Sequence, residues 1–253
     1  MKKRSFIRVF ALLLCAMMLF TACSEKSSGG GGGSSKKSST SNTYETPIKL
    51  MMETRNTKKI TDITTLYVNQ LNGFAESEVK AVLKAMSKSD QMNETLDNLA
   101  DQNQDNIDNW KSEYGDDYKY TYEIKDKTKL ETEDLDNAKE DIHARGEQLL
   151  SIVESTKEYD SDSWKDVADN LDMSVSEAKA YISALEDLGK EFAEAKVEDG
   201  YDLEVTITLS GSELDEDEVS ETETHVYKVN GKWIASNAIA SIYYICLGMG
   251  SYA

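Results

Sequence analysis

The stretch Tyr201 to Ser210, YDLEVTITLS, constrains the fold of this 253-residue chain more than any other segment. Tyr201, Leu203, Val205, Ile207 and Leu209 alternate with Asp202, Glu204, Thr206, Thr208 and Ser210. A period of two places the first set on one face of a strand and the second on the other, so one face is buried and one is solvated. A strand also needs neighbours, because its backbone donors and acceptors must be paired. The chain offers them. Tyr118, Tyr120, Tyr122 and Ile124 alternate with Lys119, Thr121, Glu123 and Lys125. Asn230-Gly231 lies between two β-rich runs, a strong signal for a type I′ hairpin. That turn pairs Val229 with Lys232 and sets Tyr227, Val229 and Ile234 on one face.

Elsewhere the period is helical. Pro47, the single proline, follows Thr46, which predicts a helix with Thr46 as N-cap and Pro47 in its first turn. Ile63, Leu66, Tyr67 and Leu71 repeat at helical spacing, as do Val79, Val82, Leu83 and Met86, then Leu96, Leu99, Ile107 and Trp110. Three or four helices are expected over 46–114. A long helix is expected after Thr132 as N-cap, carrying Leu135, Ala138, Ile142, Leu149 and Ile152. A short one holds Trp164, Val167 and Leu171, and a second long one follows a Ser174/Glu177 capping box. Helices and strands do not alternate strictly, so the fold class is α+β. Several helices should cover one face of a curved antiparallel sheet of about four strands.

The first 23 residues are of another kind. Lys2, Lys3, Arg4 and Arg8 precede an apolar run from Val9 to Ala22. This has the form of a secretory signal, and at ~1.5 Å per residue the run falls short of a ~30 Å hydrocarbon core. The sequence Leu19-Phe20-Thr21-Ala22-Cys23 resembles the lipobox of bacterial lipoproteins. That resemblance implies a diacylglyceryl group on the Cys23 thiol, cleavage before Cys23, and residence on the outer face of a cell membrane, of Gram-positive type. Phe20 stands where that family more often has leucine. Residues 24–43 are rich in Ser, Gly and Lys, with an unbroken glycine run from Gly29 to Gly33. Such a tether has an r.m.s. reach of about 25 Å. The expected organisation is therefore a signal peptide over 1–22, a lipidated cysteine and linker over 23–43, and one α+β domain over 44–253.

The segments YTYEIKDKTKLETEDLDNAKEDI and TETHVYKVNGKWIAS resemble parts of lipoproteins that carry a nuclear transport factor two-like domain. The resemblance implies a cone-shaped α+β fold, a bent sheet around helices with a pocket at its open end. Relative to the simplest version, residues of about 162–197 would form a helical insertion.

Once the four basic residues of the leader are removed, 24 Lys and Arg stand against 47 Asp and Glu, a net charge of −23. This repels nucleic-acid phosphates and anionic lipid heads, so nucleic-acid binding is excluded as the expected function. It fits either a solvated acidic surface or attraction of cations and basic partners. Cys246 is the one cysteine left after Cys15 and Cys23 are assigned, so no intramolecular disulfide is expected, and its apolar surroundings predict a buried thiol.

Residues that could carry chemistry are few. Asp101, Asn103 and Asp105 match the start of a calcium loop, but Asn106 and Ser112 replace its glycine and glutamate. The acidic run Glu213 to Glu218 reads as a solvated hairpin loop. His143 is expected on a helix surface and His225 at the sheet's rim. Neither has a second ligand at zinc spacing, and no phosphate loop or nucleophile elbow appears, so no cofactor or metal is expected. The apolar stretch from Ala238 to Met249 is expected to dock on the domain. Tyr118, Tyr120, Tyr122, Tyr201 and Tyr227 are the candidate lining of a pocket, or else amphipathic core. The functional expectation is a lipid-anchored extracellular module that binds a partner protein, glycan or small ligand and is not an enzyme. One alternative is an enzyme with a carboxylate base and a tyrosine donor in the pocket. Another is a solute-binding lipoprotein of a transporter.

Overall fold

A computed structural model describes residues 42–248. Cys23, the expected signal peptide over 1–22 and the expected linker up to residue 41 lie outside the described residues. Eight helices and four strands are present among them: α1 (Thr46–Arg55), α2 (Ile63–Gln70), α3 (Glu76–Met86), α4 (Asp90–Tyr114), β1 (Lys119–Lys129), α5 (Thr132–Glu154), α6 (Ser161–Asn170), α7 (Val175–Ala193), β2 (Val197–Ser210), β3 (Glu218–Val229), β4 (Lys232–Ala235) and α8 (Ser236–Cys246). The strands form one antiparallel sheet in the order β1-β2-β3-β4. The α+β class, the four strands and the hairpin follow the sequence. Asn230 and Gly231 both have positive φ, at 47° and 76°, as a type I′ turn demands.

The hydrophobic patterns assign the layers. The apolar residues of β2 (Leu203, Val205, Ile207), with Val226 and Trp233, bury against Ile48 and Met52 of α1. At the other face, only the hairpin end is covered. Val229 and Ile234 join a larger core built from α2, α3, α5, α7 and α8. The expectation that helices cover one face is therefore corrected. The short α1 can shield only one apolar patch, and Tyr227, Val229 and Ile234 point away from it, so a second layer of helices packs behind them. Bulges between Ile124 and Asp126 and between Val197 and Asp199 interrupt the register of β1 and β2; such bulges bend a strand.

Two helix starts shift by one residue. Thr46 and Thr132 are each the first helical residue, after Glu45 and Glu131. Glu131 and Asp134 form the capping box of α5, a role the acidic first turn supplies as well as threonine would. The capping box of Ser174 and Glu177 is present as expected. α4 runs unbroken through Asp101, Asn103 and Asp105, which removes a calcium loop there. The apolar tail docks as α8, with Ile239, Ile242 and Ile245 buried. Cys246 is buried and free, and burial pushes its thiol pKa up. His143 is half-buried rather than on the surface. Its Nε2 lies 2.7 Å from the Ala195 carbonyl, because α5 packs along α7 and the turn into β2.

One device guards the edge of β1. The Asn56 side chain donates to the Tyr120 carbonyl at 2.8 Å and accepts from the Tyr120 N–H at 2.7 Å, as a neighbouring strand would. An unpaired edge invites pairing with another chain. Asn56→Leu is expected to destabilise the domain by about 1–3 kcal/mol, the cost of orphaned polar groups. It should also promote association at high concentration. Urea unfolding and size-exclusion chromatography check both effects, and unchanged behaviour in both would rule out a role for Asn56 at this edge.

Candidate functional site

The five candidate tyrosines do not converge. Tyr118 precedes β1 and is 1% exposed. Its hydroxyl donates to the Thr57 carbonyl at 3.2 Å, and its ring meets Trp110 edge-on with centroids 6.1 Å apart. The Lys58 ammonium lies 2.8 Å from the ring centroid and donates to the Tyr118 carbonyl. Burial lowers the pKa of that ammonium, and nearby Asp117 opposes the shift. Tyr120 and Tyr122 are half-buried beside α1, and the Arg55 guanidinium lies over Tyr120 at 5.5 Å. Tyr201 stacks on Trp233 at 5.5 Å and meets Tyr44 at 5.2 Å, while the Lys127 ammonium sits 4.2 Å from the Tyr44 ring. Tyr120, Tyr122 and Tyr201 pack in the cluster around α1, and cations lie over Tyr118, Tyr120 and Tyr201. None of the four lines the cleft in which Tyr227 lies.

Tyr227 is on the opposite face, because it pairs with Gly200 and Ile234 while Tyr201 pairs with Val226. There it lines a cleft of about 340 Å³ between α5, β3 and α8. The polar lining is Asp134, Asn137, Asp141, His225, Tyr227 and Ser236, over a floor that includes Ile142 and Ile239. Burial pushes the Tyr227 phenol pKa up, and Asp134, Asp141 and Asp202 add to that shift by making a phenolate unfavourable. The phenol is therefore a hydrogen-bond donor at neutral pH. His225 stacks parallel on Tyr227 with centroids 6.5 Å apart, and its Nε2 is 3.8 Å from Asp202 Oδ1.

Both cleft carboxylates already hold structure. Asp141 takes Arg145 through two bonds of 3.0 and 3.1 Å. Asp134 accepts the Glu131 N–H at 3.3 Å, closing the cap of α5. A second cleft, of about 490 Å³, lies among α2, α3 and α4 beside Asp62, whose carboxylate caps α2 and is held at a lowered pKa by the Thr64 and Thr65 hydroxyls. Among the described residues, no group of three or more His, Cys, Asp or Glu is placed to hold a metal ion.

Sequence reasoning found Tyr227 and placed His225 at the rim. It missed Asp134, Asn137, Asp141 and Ser236. The spacing 134, 137, 141 does place three residues on one face of α5, but nothing local says that β3 lies opposite.

Comparison of the chain with protein-family models, with curated proteins and with solved structures finds no match. The fold and its surface chemistry are therefore the guides to function.

Proposed function

We propose that this chain is a lipid-anchored module on the outer face of a cell membrane that works by binding through the surface of its folded domain. The observation that carries the reading is the join at Cys23, where a lipobox-like run meets a glycine-serine tether. Two acyl chains on one cysteine suffice for stable anchoring. The domain's chemistry supports binding over catalysis. Its tyrosine-bearing face packs with α1, and the cleft that holds Tyr227 spends its two aspartates on a helix cap and an arginine. Mature protein from native membranes should yield the tryptic peptide Cys23 to Lys26 carrying a diacylglyceryl mass on the cysteine. Cys23→Ser should move the protein to the soluble fraction. An unmodified thiol in the native peptide, or a Cys23→Ser protein that stays with the membrane, would remove the anchor from this proposal.

A further inference from the structure

The far part of the sheet, beyond the hairpin end, leaves its second face open, and that face is arranged in cross-strand rows. Asp126, Glu204 and Glu223 stand abreast on β1, β2 and β3. The row on one side is Glu123, Thr206 and Glu221, and the row on the other is Thr128, Asp202 and His225. Strands lie ~4.8 Å apart, so three carboxylates in one row are close neighbours, and like charges directly opposite destabilise a sheet. Glu123 has Lys125 at 2.8 Å. Asp126, Glu204, Glu221 and Glu223 have no cationic partner among the described residues.

Solvation accounts for exposed carboxylates. It does not account for a second observation on the same face. Among the described residues, two buried side-chain atoms lack a hydrogen-bond partner: Asp202 Oδ1, which faces His225 Nε2 at 3.8 Å, beyond hydrogen-bond reach, and Thr206 Oγ1. Both stand on this face of β2, one on each side of Glu204. Thr206 is 8% exposed in a row flanked by two glutamates. Buried polar groups are ordinarily satisfied, and both of these oxygens can accept from an N–H donor.

We propose that this acidic β1–β2–β3 face docks an extended, lysine- and arginine-rich segment of a partner protein. The assignment rests on the reading above that the domain works by binding, and it names the surface and the partner's chemistry. Side chains on one face of an extended peptide recur every ~6.8 Å, the spacing of the carboxylate rows along β2. Ammonium and guanidinium groups would neutralise Glu204, Glu221 and Glu223 and supply donors to Asp202 and Thr206. A metal ion fits less well, since the described carboxylates do not converge on a point.

The test uses the full-length chain and a labelled octalysine peptide, followed by fluorescence anisotropy. The sheet triple Glu204→Gln/Glu221→Gln/Glu223→Gln is compared with a helix triple on α4, Glu94→Gln/Asp97→Asn/Asp101→Asn, which changes the net charge equally. The sheet triple should weaken binding about tenfold or more, the range of several desolvated charge pairs, and the helix triple less than about twofold. Thr206→Val should weaken binding severalfold while raising the thermal midpoint, because it removes an unpartnered buried hydroxyl from a strand. Equal weakening by both triples would reduce the effect to net charge and overturn the proposal. So would absence of binding, or a thermal shift produced by calcium chloride alone and lost in the sheet triple while octalysine gives none. Failure here leaves the anchored-module reading to be judged separately by the mass of the Cys23 peptide.

Discussion

Phe192→Ala is expected to cost the domain about 3–5 kcal/mol, the range for truncating a fully buried phenylalanine. Phe192 lies at the end of α7, fully buried, with its ring stacked on Phe74 at 5.7 Å and 12°. The pair joins α7 to the link between α2 and α3, within the same core in which α7 packs on α3, so truncation leaves a cavity at the centre of that core. Domains of this kind are stable by about 5–15 kcal/mol, so the loss is a large share of the total. With a urea slope of roughly 2 kcal/mol/M, the unfolding midpoint should fall by about 1.5–2.5 M at unchanged slope. Val175→Ala, on the exposed first turn of the same helix, should stay within ~0.5 kcal/mol. Midpoints that coincide for the two variants would contradict the placement of α7 in the core. The result also bears on residues 162–197, which the resemblance marks as an insertion. In this structure the segment carries Leu185, Leu188 and Phe192, all buried at the centre of the larger core.

The elements were legible where the pattern is local. Alternation over Tyr201 to Leu209 locates β2, Asn230-Gly231 fixes the last hairpin, and Ser174 with Glu177 marks the start of α7. Each is decided within a few residues by backbone sterics or a single cap. What was not legible is the assignment of faces between distant elements. Tyr201 and Tyr227 both alternate with polar residues, yet the antiparallel register of β2 and β3 pairs Tyr201 with Val226 and so turns Tyr227 to the other side. A one-residue offset in register inverts every side chain, and the residues on each strand between the Leu209–Glu218 pair and the Tyr201–Val226 pair give no local sign of it. The same holds for the acidic face. Asp202 and Glu204 were read as solvated in their own strand, but the row of Asp126, Glu204 and Glu223 exists only once three strands, spread over about a hundred residues, are side by side. The cleft with Asp134 and Asp141 depends in turn on where α5 lands on β3 and α8.

Gly146 supplies the sharpest test of that tertiary arrangement, because local and long-range physics predict opposite signs. It lies in the interior of α5, where replacing glycine by alanine ordinarily stabilises a helix by up to ~1 kcal/mol. Here α7 crosses so closely that a Cβ on Gly146 would stand 2.4 Å from the Ala193 amide nitrogen and 2.7 Å from the Gly189 carbonyl oxygen. Both are backbone atoms and no rotamer change moves them, so the two helices must separate. Overpacking of this kind costs about 1–3 kcal/mol and outweighs the propensity gain. Separation would also lengthen the His143 to Ala195 hydrogen bond, which ties α5 to the entry of β2. Gly146→Ala is therefore expected to lower the thermal midpoint by several degrees, at roughly 2–4 °C per kcal/mol for a domain of this size. Gly146→Val should lower it further, since it adds bulk at the same contact and restricts χ1 in a helix. At Gly189 a Cβ would meet Leu149 Cβ and Leu150 Cγ at 3.1 Å and the Gly146 carbonyl oxygen at 3.2 Å, contacts that need a shift of only a few tenths of an ångström, so Gly189→Ala should cost less. Calorimetry of the three variants gives the order. A Gly146→Ala midpoint above that of the wild type would mean that helix propensity governs this position and that α5 and α7 do not touch backbone to backbone.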